Sequence, residues 1–137
     1  MLVGRLWSSA RDQRGSSLVE GLLALSLLVL VIGVGVEGFA YAQARSVAIA
    51  AAQEGVRAAA AEGTSAGLDR AEQVLDAGGG AGRKLVPSLE QDGDTVTVTV
   101  RGSAPALFPL SMVVPSIRTS ATLPLERYAP DEQAASP

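Results

Sequence analysis

The sequence predicts an α+β protein with a long N-terminal transmembrane α-helix, followed by a short helix and a small antiparallel β-sheet that form a head. Three observations predict this fold class. A continuous apolar run fills residues 18–36, as in a membrane-crossing helix. All seven prolines lie after Lys84, so the first part of the chain contains no strong helix breaker. Strict alternation of Thr and Val over residues 95–100 has the two-residue period of a β-strand.

The composition excludes most enzyme chemistries. The 137 residues include no Cys and no His, so one chain offers no thiol nucleophile, imidazole base or ordinary zinc site. The formal net charge is −3 and Lys84 is the one lysine, which leaves no basic face for nucleic acid. We therefore expect a non-enzymatic protein with no cofactor, no metal, no nucleic-acid partner and no small-molecule substrate.

The apolar run and its flanks predict a membrane orientation. The uncharged residues from Gly21 to Val36 would form about 24 Å of helix, slightly less than a hydrocarbon layer of roughly 30 Å. The segment is preceded by three arginines, Arg5, Arg11 and Arg14, whereas the next basic residue after it is Arg45. The positive-inside rule then places the N-terminus in the cytoplasm and the rest of the chain outside it.

Three interpretations of this segment compete: a secretory signal peptide, a plain single-span anchor, and a short leader joined to an assembly helix. Ala40-Tyr41-Ala42 is an A-x-A-like cleavage site, as a signal peptide requires. However, the apolar run is longer than the ~7 to 15 residues of a typical signal peptide, and Glu20 and Glu37 lie near its two ends.

The third interpretation depends on Gly15, Ser16 and Glu20. A short basic leader ends at Gly15, and a single acidic residue follows at the fifth position after it. Cleavage between Gly15 and Ser16 would create an amine one helical turn before Glu20. A carboxylate this close to lipid needs a partner or contact with the headgroup region. The Ser16 amine of the same chain is one possible partner, and the amine of a neighbouring subunit is a better one because it would fix the register between chains. The alternative is that Glu20 is an interfacial carboxylate with no role in assembly.

The sequence of this region resembles a known family. The run RGSSLVEGLLALSLLVLVIGVGVEG, followed by YAQARSVAIAAAQEGVRAAA, is similar to the N-terminal half of TadE-like proteins. These are minor pilins or pseudopilins of the tight-adherence (Flp, type IVc) pilus machinery. Gly15 with Leu18-Val19-Glu20 resembles the prepilin-peptidase site, and Ala51–Ala59 resembles an Ala-rich stretch after the membrane helix. The resemblance covers Arg14 to Ala61, roughly a third of the chain.

The resemblance implies a function, and together with the composition of the remaining residues it suggests a division of the chain. Prepilin peptidase would cut after Gly15, and Glu20 would contact other pilin-like subunits during assembly with pilus platform proteins. Residues 1–15 would be the leader, 16–62 the membrane helix and stalk, 63–127 the head, and 128–137 a disordered tail. The protein would be a single-pass inner-membrane protein with a cytoplasmic N-terminus and an extracytoplasmic head. The sequence leaves open whether it also enters an extracellular pilus. The alternative is a generic membrane-anchored extracytoplasmic binding domain with no pilus role.

Beyond the membrane, strong helix formers predict that the helix continues to Glu62. Its apolar positions Val47, Ala51, Ala58 and Ala61, with Val56 nearby, form a weak stripe of small side chains. A second helix is predicted from Ser65 to Ala77. The following segment, Gly78–Lys84, resembles a phosphate loop only superficially, because no strand precedes it and no Ser or Thr follows the lysine. A hinge is the favoured interpretation.

Three strands are predicted after the hinge. The alternating residues 95–101 are paired through an Asp92-Gly93 turn with a strand over Leu85–Gln91, which Pro87 would confine to a sheet edge. A third strand is predicted over Ile117–Leu125. Asp92 and Asp94 are interpreted as turn residues rather than calcium ligands. The apolar, Pro-rich loop 105–115 is either a lid on the core or a contact for a partner, and the sequence favours neither.

Overall fold

The structure is a computed structural model that describes residues 6–106 and 115–125, with side chains from residue 16 onward. Most of the apolar loop 105–115, the tail 128–137 and the basic side chains before Ser16 lie outside the described residues. In chain order, the elements are helices α1 Leu6–Glu62 and α2 Thr64–Ala77, a 3₁₀ turn Gly79–Ala81, and strands β1 Leu85–Asp92, β2 Thr95–Gly102 and β3 Ile117–Pro124. The predicted α+β fold class is confirmed.

The chain folds as two compact units, Met1–Gly38 and Phe39–Pro137. The first unit contains the N-terminal part of α1. In the uncleaved chain this helix begins at Leu6, so the backbone is helical across Gly15. The early start is consistent with the absence of proline from this part of the sequence, since nothing there interrupts the hydrogen-bond ladder.

The second unit has a core built largely from small residues of α1. The buried residues of this part of α1 recur at helical spacing. They are Ala40, Ala44, Ala48, Ala51, Ala52, Val56 and Ala59. The predicted stripe is therefore wrong in part. Ala51 is buried, but Val47 and Ala58 are only half-buried and Ala61 is exposed. Alanine occupies so many positions between 42 and 61 that the sequence pattern does not distinguish one helix face from the next.

Helix α2 packs closely against the second part of α1 through glycine. A Cβ atom added at Gly67 would lie 2.5 Å from the Ala59 Cβ and 2.8 Å from the Gly55 carbonyl oxygen. A Cβ atom added at Gly55 would lie 2.9 Å from the Ala71 Cβ. Only glycine permits this approach. The helix begins at Thr64, directly after Gly63, with no side-chain cap, so the expected Ser65 start is off by one residue.

The three strands form one antiparallel sheet in the order β1-β2-β3. Its inner face contains Val96, Val98 and Val100, which have no solvent exposure, and its outer face contains the intervening threonines. Strand β1 is an edge strand, as Pro87 predicts. In the β1–β2 register Pro87 and Val100 form a non-hydrogen-bonded pair, in which the backbone nitrogen of each residue points away from the partner strand. The lack of an N–H group in Pro87 therefore removes no hydrogen bond to β2.

The β1–β2 turn differs by one residue from the prediction. Asp92 pairs with Thr95, so the two loop residues are Gly93 and Asp94 rather than Asp92 and Gly93. Gly93 has a φ of +56°, and no described residue other than glycine has a positive φ. Glycine at the first loop position, followed by a residue with negative φ, is the pattern of a type II′ turn. The sequence locates the turn, but the pairing register decides which residues close the ladder.

The inner face of the sheet is covered by the two helices. One buried cluster joins α1 alanines to Leu75, Leu85, Val100 and Ile117, and a second joins Val56 and Ala59 to Ala71, Val96 and Val98. The core is thin, as the low aromatic content of the sequence predicts.

Candidate functional site

Helix α1 carries all three residues of the predicted processing and assembly site. Gly15 and Ser16 lie within the helical backbone, and the Glu20 side chain is exposed one turn further along. Four residues of α-helix span about 6 Å, which keeps the backbone nitrogen of Ser16 and the Glu20 carboxylate on the same side of the helix. Among the described residues, no ion pair involves Glu20. The structure therefore presents this carboxylate to the surroundings.

The helix after Glu20 exposes large apolar side chains in every direction. Thirteen of them between Leu18 and Val36 retain 40–72% of their accessible surface. Burying one such side chain is worth roughly 1.5–3 kcal/mol, so exposing this surface to water would be very costly. In the part of the chain that the structure describes, Ser16–Glu62 is the one helix long and apolar enough to cross a membrane. A single membrane span and a signal sequence both fit this finding.

Glu37 marks the far end of the apolar segment and is the one charged side chain that is buried among the described residues, with 7% exposure. From the sequence alone, Glu37 is simply the charged residue at which the apolar run ends. Gly33, Glu37 and Ala40 are all buried, and their spacings of four and three residues place them on one side of the helix. This spacing is visible in the sequence, but an isolated glutamate gives no sign of burial.

Glu54 and Arg57, three residues apart on helix α1, form a solvent-exposed ion pair, with Arg57 Nη1 3.1 Å from Glu54 Oε1. Arg70, on helix α2, lies 3.9 Å from the other carboxylate oxygen, a contact that the sequence does not predict. The three side chains retain 40–65% exposure, so the group is worth little to stability. The Ala-rich stretch 51–59 thus has a local explanation: its small residues pack inside the head and its charges face solvent.

Two alternative ligand sites find no support in the geometry. The glycine-rich segment after α2 forms a 3₁₀ turn between that helix and β1, without the preceding strand that a phosphate loop needs. Asp92 and Asp94 use their backbone carbonyls to hold the hairpin, accepting bonds from Thr95 Oγ1 at 2.9 Å and from the Leu125 amide at 2.6 Å. Within the described ranges, no three acidic residues cluster as a metal site.

These features define a class of protein. A long N-terminal apolar helix, a second short helix and a three-stranded antiparallel sheet form a pilin-like architecture. Comparisons with protein-family profiles, with curated proteins and with solved structures found no match to this chain. The architecture is therefore established by the elements themselves, whereas the resemblance to TadE-like proteins remains a prediction from the N-terminal motif.

Proposed function

We propose that this protein is a minor pilin or pseudopilin-like subunit of a tight-adherence (Flp, type IVc) pilus or related secretion machinery, and that it has no enzymatic activity. The observation that carries the proposal is the combination of Gly15-Ser16 with an exposed Glu20 at the beginning of a helix covered with exposed large apolar side chains. A tether needs only the apolar surface. The carboxylate at this position is an added cost that an assembly contact explains.

The proposed mechanism begins with insertion into the inner membrane. The N-terminal arginines keep the leader in the cytoplasm, while the head lies on the opposite side. Prepilin peptidase then cuts between Gly15 and Ser16 and removes the charged leader. This step frees an amine at the end of the apolar helix and takes away the groups that would anchor that end in the cytoplasm.

The processed helix then packs beside other pilin-like helices. Its own Glu20 is exposed, and a carboxylate surrounded by apolar side chains is strongly stabilised by a nearby amine. Pairing with the Ser16 amine of a neighbouring subunit, rather than with its own, satisfies both charges and sets the axial register between subunits. Pilus platform proteins are the further partners that this function requires.

Intact-mass measurement tests the processing step. The full chain is expressed together with a prepilin peptidase, and the protein extracted from membranes is weighed. We expect a product that begins at Ser16. A chain that stays full length, or one cut after Ala42, contradicts the proposal, because the first lacks processing and the second is the product of a signal peptidase.

Substitution of Glu20 tests the assembly contact. We expect Glu20→Ala to leave membrane insertion intact and to abolish incorporation into the assembled machinery, as measured by co-purification with other subunits. Glu62→Ala is the matched control, because Glu62 is an exposed acid at the end of the same helix and outside the apolar segment. Normal assembly of the Glu20 variant would make this residue merely interfacial.

Replacement of the apolar helix separates the proposal from a generic membrane-anchored binding domain. An unrelated Leu-rich span in place of residues 18–36 preserves a tether but removes the specific surface. We expect insertion to persist and assembly to fail. A variant that assembles as well as the parent chain would favour the tether.

A further inference from the structure

The outer face of the sheet carries an ordered charge pattern that the proposed function does not use. The strand registers place four rows of side chains on this face. From one end to the other, the rows are Val86–Arg101–Arg118, Ser88–Thr99–Ser120, Glu90–Thr97–Thr122 and Asp92–Thr95–Pro124. The face is solvent-accessible over most of these positions. One end is therefore basic, the other is acidic, and the middle is lined by hydroxyls.

The basic end joins two like charges. Arg101 and Arg118 are direct cross-strand partners in the β2–β3 register, and both are exposed. Like charges in this position destabilise a sheet. Within the described ranges, neither arginine forms an ion pair with another residue. Lys84 lies one residue before β1 at the same end of the sheet. The arrangement leaves this end in need of an acidic partner.

The acidic end consists of Glu90 and Asp92 on the edge strand β1, both exposed. A strand rises about 3.3 Å per residue, so these carboxylates lie about 13 Å and 20 Å along the sheet from the row that contains Arg101. At this separation the two ends of one face do not pair with each other. Among the described residues, no ion pair involves Arg101, Arg118, Glu90 or Asp92.

The hydroxyls between the two ends form a level surface. The Thr97 and Thr122 hydroxyls bond to each other at 2.8 Å, and the Ser88 hydroxyl donates to the Thr99 carbonyl at 3.2 Å. These short side chains are tied back to their own sheet. The longer charged side chains at the two ends therefore have clear space for contact with a flat partner.

We propose that the occupant of this face is the same face of a second copy of this chain. A two-fold axis lying in the plane of the interface, perpendicular to the line between the charged ends, places each acidic end over the partner's basic end. An anionic polymer running along the face would satisfy the arginines but meet Glu90 and Asp92. A partner with both charges in the reverse order fits the whole surface, and an isologous copy supplies that order.

The area of the face sets the conditions under which it acts. Three strands of eight residues cover about 14 Å by 26 Å, which is smaller than either side of a standard protein–protein interface. Such a contact is weak between free molecules. Copies anchored in one membrane meet at a high effective concentration, so the inference rests on the membrane insertion in the proposed function. It does not rest on cleavage after Gly15.

Disulfide capture tests the two-fold arrangement directly. The native chain has no cysteine, so a single introduced thiol is unique. Thr99 lies on the central strand near the proposed axis, where the same residue of two copies meets. We expect full-length Thr99→Cys in liposomes to form disulfide dimers about tenfold faster than Ser65→Cys, an exposed control on α2. Equal rates would mean random collision and would overturn the proposal.

Charge reversal with mixing tests the pairing of the ends. In the Thr99→Cys background, Arg101→Glu with Arg118→Glu makes both ends acidic, and Glu90→Arg with Asp92→Arg makes both ends basic. We expect each variant alone to dimerise about tenfold more slowly, and an equal mixture to recover the parental rate as a mixed dimer. Unchanged rates for either variant, or no recovery on mixing, contradict the proposal. The latter result favours a separate anionic partner for the arginines.

Two controls keep this test separate from the proposed function. Circular dichroism of each variant shows that the head remains folded, so that a slow rate reflects the face and not misfolding. The same capture is also carried out in membranes from cells that co-express prepilin peptidase, with and without Gly15→Leu, which blocks processing. We expect the same disulfide rate in both. Loss of capture in the Gly15→Leu variant would show that docking needs the cleaved chain and would overturn the arrangement as proposed.

Discussion

The two units of the chain share helix α1 but use apolar residues in opposite ways. In the first unit, up to Gly38, large side chains such as Leu18, Leu28 and Ile32 are 55–72% exposed. In the second unit, from Phe39 onward, the helix buries small side chains, and Ala44, Ala48 and Ala51 have no exposure. The helix is apolar in both units, but residue size changes with what surrounds it.

This difference fits the proposed membrane insertion of the first unit and the packed core of the second. Large side chains maximise the apolar surface that a helix gives to lipid. Small side chains let a second helix and a sheet approach the backbone, where large ones would hold them apart. Glycine follows the same division. Added Cβ atoms at Gly21, Gly35 and Gly38 meet nothing within 4 Å, whereas those at Gly55 and Gly67 overlap their neighbours.

The largest effect is expected from a charge in the first unit. Leu28 lies near the middle of the apolar segment and is 55% exposed. Leu28→Arg should weaken membrane insertion by about 3 kcal/mol, roughly a hundredfold, because the guanidinium would enter the hydrocarbon layer. Alkaline extraction of membranes measures the inserted fraction. Ala50→Arg, at an exposed position of the same helix in the second unit, should insert normally. An equal loss of the inserted fraction in both variants would contradict the difference between the two units.

Truncation of a core valine should act on the second unit alone. Val98 is fully buried, and Val98→Ala should lower the free energy of unfolding of the head by about 2 kcal/mol, through lost apolar contact and a residual cavity. Hydrogen exchange of the β2 amides in micelles measures this change. Leu28→Ala removes more apolar volume, yet it should leave the exchange rates unchanged. A slowed or unaffected exchange in the Val98 variant would contradict the assigned core.

A methyl group at the contact between helices gives a smaller expected effect. Gly67→Ala should destabilise the head by about 1.5 kcal/mol, because the steric overlap with Ala59 exceeds the gain in helix propensity. Thermal unfolding followed by circular dichroism reports the loss. The matched variant Gly35→Ala adds the same methyl group in open space and should not destabilise the head. A stabilised Gly67 variant would show that α1 and α2 are not closely packed.

The smallest effect is expected at the exposed ion pairs of the head. Glu54→Gln removes the pairs with Arg57 and Arg70 and should lower the free energy of unfolding by about 0.5 kcal/mol or less, because water already solvates these charges. Urea unfolding of this variant and of Glu62→Gln measures the difference. A loss several times larger would mean that the charges hold α2 in place and that close packing is secondary.

Patterns with a strong local cause are predictable from the sequence. The strands follow from a period of two, which assigns Val96, Val98 and Val100 to one face, and Pro87 marks its strand as an edge. The apolar segment and the pair Glu54–Arg57 also depend only on nearby residues. The acidic Glu20 stands out in the same way, from its distance to Gly15, and its proposed role stays a prediction.

Features that depend on distant residues are not predictable in this way. Arg70 is far from Glu54 in sequence, and only the packing of α2 on α1 brings the two together. The predicted buried face of α1 is wrong in part because alanine fills several faces of the helix. The outer-face rows of charge and hydroxyl are also invisible in the sequence, since they join residues of three strands through the pairing register.

The amino-acid sequence was sufficient for the element types, their order and the apolar segment, because backbone periodicity and proline placement act within a few residues. The tertiary structure decided which alanines are buried, how closely Gly55 and Gly67 approach, and which charges share a sheet face. These features arise from contacts between elements. In a chain where small residues are so common, shape complementarity at those contacts, rather than hydrophobicity alone, selects the packed arrangement.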